Sequence, residues 1–189
     1  MKKLMENWRR LIKENEEEEQ ALAELLPPAE IPEELFHATR PPLLSKIAID
    51  GLRDFTDYSR HGAGQVGVSF TTQFDAVNEG QFGNLVIVFD GQKMAQSGQY
   101  SFRPHQDPSV GTDEAELRVE MVDSASDSGS GIDQKVDSLG TAVPFEYAKK
   151  LVFIGPGLQK FELKWLKETY PHLPIASFDK RTGEMVEYE

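Results

Sequence analysis

Cysteine is absent from the 189 residues, which removes disulfide frameworks, thiolate chemistry and cysteine-ligated zinc, and leaves the redox compartment unreadable. Basic residues are scarce: 20 Lys and Arg stand against 32 Asp and Glu, for a formal charge of −12. Broad phosphate neutralisation needs clustered cations, so this balance argues against a nucleic-acid binder of that kind while permitting a local basic groove. No apolar run approaches a membrane span. The N-terminus, Met1 to Asn15, is basic but lacks the apolar stretch and cleavage site of a secretory signal. The expectation is a cytoplasmic protein with no membrane partner. There is no Gly-X-Gly-X-X-Gly fingerprint and no phosphate loop, and His61, His105 and His172 have no partner at ligand spacing, so no metal site is expected.

What remains is a chain with 39% hydrophobic and 10% aromatic residues, enough to bury one ordinary core. Residues 1–30 read as an amphipathic helix and linker. Leu4, Trp8, Leu11 and Ile12, then Leu22, Leu25 and Leu26, recur at helical spacing around the acidic run Glu16 to Glu19, and Pro27 and Pro28 stop the pattern. Such a helix offers a surface for self-association. Residues 31–189 read as a single domain. Leu35 to Gly51 predicts a buried strand with a polar His-Ala-Thr-Arg tip, then a helix opened by Pro41 and Pro42. That helix carries Leu43, Leu44, Ile47 and Ile49 as its apolar set and is capped by Gly51.

A polar loop with Tyr58, Arg60 and His61 follows, then a half-buried strand over Val66 to Thr71 and a short helix, Gln73 to Glu79, with Phe74 and Val77 inward. Asn84 to Phe89 is the most continuous apolar run and predicts a central strand. Beyond it come a helical turn at Gln92 to Gln96, a weak strand at Tyr100 to Phe102, a loop through Arg103, Pro104, His105 and Pro108, and a strand within Asp113 to Val122. Residues 123–138, rich in Ser, Asp and Gly, read as a mobile loop. Val143 to Lys150 predicts a turn-helix leading into a strand at Leu151 to Ile154. A helix at Leu158 to Tyr170 follows, with Phe161, Leu163, Trp165 and Leu166 as its apolar set, and the tail reads as a terminal hairpin. The sum is an α+β fold, a mixed, mostly antiparallel sheet with peripheral helices.

Three polar stations fall at predicted strand edges, where composite sites are assembled: His37 in Phe-His-Ala-Thr-Arg, Ser69 to Thr72 in Ser-Phe-Thr-Thr, and Glu114 with Glu116 in Glu-Ala-Glu-Leu-Arg. In that order they resemble the ADP-ribosyltransferase superfamily, which carries a first-strand His or Arg, a second-strand Tyr or Ser-X-Ser/Thr, and a later Glu-X-Glu. The resemblance covers roughly residues 34 to 155. Two departures stand out: the glycine that follows the family histidine is Ala38 here, and Ser69 replaces the tyrosine expected in the histidine branch.

The resemblance implies a split-sheet domain that takes NAD as ADP-ribose donor and a macromolecular acceptor, protein rather than nucleic acid. It assigns Glu116 as the catalytic carboxylate, Glu114 as a residue that orients the acceptor, and His37 with Thr39 to the ribose. Ser69 and Thr71 would stiffen the site. The backbone of Ala38 would hold the nicotinamide amide, Arg40 or Arg60 the pyrophosphate, and Phe70 or Phe82 would offer aromatic surface to the nicotinamide ring. The chemistry explains the grouping, because cleaving the nicotinamide–ribose bond leaves an oxocarbenium-like cation that a carboxylate beside the sugar stabilises. Two alternatives stay open. One is an RNA 2′-phosphotransferase-like NAD enzyme, for which Arg60-His61 is a faint echo. The other is a catalytically inactive transferase fold that serves as an interaction module.

Overall fold

The computed structural model describes residues 25–53, 67–74, 83–107, 111–122, 142–155 and 158–188, with the side chains of 105–107, 111–115 and 142 outside that description. The N-terminal helix expected over residues 2–26, apart from its last two residues, falls outside the described residues. So do Tyr58, Arg60, His61, Val77, Phe82 and the loop 123–138.

Ten strands are described: β1 (Glu34–Thr39), β2 (Leu52–Arg53), β3 (Val68–Thr71), β4 (Leu85–Asp90), β5 (Tyr100–Asp107), β6 (Gly111–Met121), β7 (Ala142–Val143), β8 (Ala148–Ile154), β9 (Ile175–Asp179) and β10 (Glu184–Tyr188). The described α-helices are α1 (Leu44–Asp50), α2 (Gly91–Gln96) and α3 (Lys160–Thr169). Eight strands form one open sheet in the order β10-β9-β8-β4-β1-β3-β6-β5, and β2 pairs with β7 apart from it. Among the described residues only β8 and β9 run parallel, joined through α3; every other described pair is antiparallel. The fold is α+β.

The apolar run of β4 lies inside the sheet between β1 and β8, buried on both faces. Leu85, Ile87 and Phe89 join the larger core with Leu35, Phe70, Leu117 and Leu151, and α1, α2 and α3 close that face with Leu44, Ile47, Met94 and Leu166. Val86 and Val88 meet Phe36, Val152, Ile154 and Ala176 on the other face, where Phe74 stands edge-on to Phe36 and Phe178. Each such aliphatic or aromatic side chain, once buried, contributes about 1.5–3 kcal/mol.

Two helices bury less than their pattern suggests. Ile49 is 84% exposed, and in α3 Phe161 is 72% and Trp165 49% exposed, leaving Leu166 as the buried anchor. Residues three or four apart share a helix face, but only one such face meets the sheet. The loop expected after Phe102 is instead the continuation of β5 through Asp107. Pro104 is tolerated there because β5 is the sheet edge and its register with β6 shifts between Pro104 and His105.

The sheet is weakest at one seam. β1 and β4 pair in register from Glu34↔Asp90 to Thr39↔Leu85, whereas β1 meets β3 at Phe36↔Thr71 alone. The polar tip of β1 therefore runs beside β3 without a backbone ladder. Gly83 packs against this tip: at φ +145 an added Cβ would lie 2.0 Å from the Thr39 carbonyl oxygen. Gly51, at φ 75, ends α1 by donating its amide to the Ile47 carbonyl.

Candidate functional site

His37 follows Phe36 on β1 and points to the helix-covered side of the sheet, where its ring stands edge-on to Phe70 at 5.9 Å. Phe70 rests on Phe89 at 5.4 Å and is 1% exposed. At the seam, His37 Nδ1 lies 3.0 Å from the Ser69 carbonyl oxygen. Burial lowers the imidazole below its ordinary pKa, opposed by the Ser69 hydrogen bond, so the neutral ring is favoured. A carbonyl only accepts, so the hydrogen-bond network places the proton of the neutral ring on Nδ1. Nε2 is left as an acceptor.

Ser69 has a second side. Val68 and Phe70 turn into the core, so alternation along β3 sends the Ser69 hydroxyl to the opposite face. There it donates to Glu116 Oε1 in a short hydrogen bond. Glu116 and Arg118 reach the same place because β6 is registered with β3 through Thr71↔Glu116 and Ser69↔Arg118. The Arg118 guanidinium lies 3.0 Å from that same Oε1. Among the described residues Oε2 has no partner, so one oxygen of the carboxylate is held by two donors and the other is available.

A cavity of about 350 Å³ opens between the β1 tip, α1, β2 and the start of β3. His37, Thr39 and Ser69 line it, with Lys46 and Asp50 from α1, Arg53 from β2 and Arg118 from β6. Among the described residues, Lys46, Arg53 and Arg118 thus line, with Asp50, a single cavity in a protein of charge −12. Its volume suits a small ligand or one half of a dinucleotide. A second cavity of about 370 Å³ between α1 and α3 is lined by Pro41, Phe153, Leu158, Phe161 and Trp165, with Glu162 the acidic group among its described residues. None of the described site residues expected from sequence lines it.

The expected residues therefore divide. His37, Ser69 and Glu116 are joined in one chain of hydrogen bonds, and Thr39, 5% exposed, lies in the same cavity wall. Phe70 offers no ring surface to a ligand; strand alternation buries it beneath His37. Thr71 spends its hydroxyl on the backbone of Gln73. Ala38 packs on the second face of the sheet, and Arg40 is exposed and outside the described cavity wall. Glu114 lies on β6, and its side chain is outside the described residues.

Glu116 does not face His37 across the cavity. It stands behind the wall, and Arg118 stands in it. Lys46, Arg53 and Arg118 were not singled out from sequence, although Arg118 carried a signal: two residues after Glu116 on a strand, it shares that residue's face.

No protein-family model, no curated protein and no solved structure matches the chain. Among the described residues no three His, Asp or Glu side chains are grouped to hold a metal, and no helix is long and apolar enough to cross a membrane.

Proposed function

We propose that the protein is an NAD-dependent mono-ADP-ribosyltransferase that moves ADP-ribose to a macromolecular acceptor with release of nicotinamide. The observation that carries this reading is the Ser69 hydroxyl donating to the Glu116 carboxylate while the Ser69 carbonyl holds His37, because it joins three residues far apart in sequence into one polar unit. The neutral His37 ring supplies an acceptor for a ribose hydroxyl. Glu116 stands outside the described cavity wall, so the reading requires its carboxylate to come past Arg118 to the sugar. There it would supply negative charge for the cation that forms as the nicotinamide bond breaks, and Oε2, without a partner among the described residues, would take a proton from the incoming nucleophile. The cationic wall of Lys46, Arg53 and Arg118 suits the diphosphate of the donor.

The test is incubation of the full chain with NAD labelled in the adenylate half, with and without a cell extract, following nicotinamide release and labelled product. Nicotinamide release that disappears in Glu116→Gln supports the reading. Absence of both signals from the wild-type protein across pH and salt rules out the enzyme and leaves the interaction module.

A further inference from the structure

We propose that Arg118 is shared between Glu116 and a diphosphate-bearing ligand of the His37 cavity, so that ligand binding draws the guanidinium off the carboxylate. The inference rests on the reading of Glu116 as the working carboxylate and adds a residue with no counterpart in the motifs that led to it. Three observations meet at Arg118. It lines the cavity, whereas Glu116 does not. It is registered across from Ser69, beside the His37 anchor. Its guanidinium lies 3.0 Å from Glu116 Oε1, the oxygen that also receives the Ser69 hydroxyl.

An arginine in that position is a poor bystander. Its planar fork of donors matches phosphate oxygens as well as carboxylate oxygens, and a diphosphate carries more charge than a single carboxylate. Lys46 and Arg53 on the same wall strengthen the pull on an anion, and Asp50 is the only described carboxylate there to oppose it. With the cavity filled by a diphosphate, Arg118 turns toward the ligand. Glu116 then keeps the Ser69 hydrogen bond and loses the ion that neutralised it. The carboxylate is freed of its counter-ion only when the ligand that needs it is present.

The consequence is an antagonism between Glu116 and the ligand in the ground state. Titration calorimetry of ADP into the full chain reads it without any turnover, since ADP has the diphosphate and no nicotinamide. Arg118→Gln should weaken ADP binding roughly tenfold to a hundredfold, the loss of charge-assisted hydrogen bonds. Glu116→Gln should tighten it about two- to fivefold, the modest strength of a partly exposed ion pair. The double variant should match Arg118→Gln alone, because with the guanidinium gone Glu116 has nothing to compete for. Arg118→Lys, which keeps the charge and loses the fork, should fall between wild type and Arg118→Gln, and its thermal melt checks the fold.

No ADP binding by wild type, no gain from Glu116→Gln, or a gain that survives in the double variant overturns the proposal. The two readings separate cleanly. The ADP pattern without nicotinamide release removes the transferase and keeps the diphosphate site. Nicotinamide release without the ADP pattern keeps the transferase and removes the role of Arg118.

Discussion

Acid should weaken the folded state through His37, and the size of the effect is bounded by one proton. The ring is held against the Ser69 carbonyl and above Phe70, and burial pushes its pKa below the ordinary 6.5. The unfolded chain takes up a proton near pH 6.5, whereas the folded chain resists it. Stability from this group is therefore complete above pH 6.5 and is lost as pH falls toward the lower folded value. The slope cannot exceed about 1.4 kcal/mol per pH unit, and the loss between pH 7.5 and 5.5 is at most about 1.4 kcal/mol.

Protonation also removes the Nε2 acceptor, so ligand binding should decline over the same interval. The assay is urea unfolding at pH 7.5, 6.5 and 5.5 for wild type and His37→Gln, whose amide can still donate to the Ser69 carbonyl. His61, His105, His172 and the carboxylates are common to both proteins, so the difference between the two pH slopes isolates His37. With urea slopes of about 1–3 kcal/mol/M, the wild-type midpoint should lose up to about 1 M more than that of the variant. Parallel slopes, or a wild type that gains on the variant in acid, would refute the neutral, half-buried ring and the tautomer derived from it.

Glu116→Gln should lower turnover by about a hundredfold to a thousandfold while NAD binding is kept or slightly improved, because the carboxylate acts on charge that develops only in the transition state. Pre-steady-state nicotinamide release set beside a binding titration measures both, and equal losses contradict the role. Phe70→Ala should cost about 3–5 kcal/mol in denaturant unfolding, since the ring is buried and supports both His37 and Phe89. A loss under about 1 kcal/mol would show that the seam is not built on it. Gly83→Ala should destabilise by about 2–3 kcal/mol or more, because a Cβ there meets the Thr39 carbonyl at 2.0 Å in a conformation that L-residues avoid. An unchanged melting temperature would show that the β1 tip yields to it.

Much of the fold was legible because apolar periodicity carries it. The β4 run, the β1 strand with its capped helix and the β9–β10 hairpin lie where local pattern places them. Pattern failed where a face needed a partner. Ile49, Phe161 and Trp165 have the spacing of core residues and stand exposed, since helical spacing says which residues share a side but not whether anything covers it. Pro104 misled for a related reason: proline is excluded from a ladder only where both sides of the strand are paired, and β5 is an edge.

For the site, the order of His37, Ser69 and Glu116 was readable and their connection was not. Ser69 is 32 residues from His37 and 47 from Glu116, and no local pattern sets the register of β3 against its two neighbours. The chain by itself determined the residue types available, the placement of His37, Ser69 and Glu116 on three strands and the absence of cysteine chemistry; the strand edges expected for them are interior positions of β1, β3 and β6. Tertiary structure decided the rest. It put Phe70 under His37 rather than beside a ligand, set Arg118 instead of Glu116 in the cavity wall, and gathered Lys46, Arg53 and Arg118 into a cationic surface on an acidic protein. The physical reason is the period of a strand: a shift of one residue reverses every side chain, so which groups meet is fixed only when the strands pair.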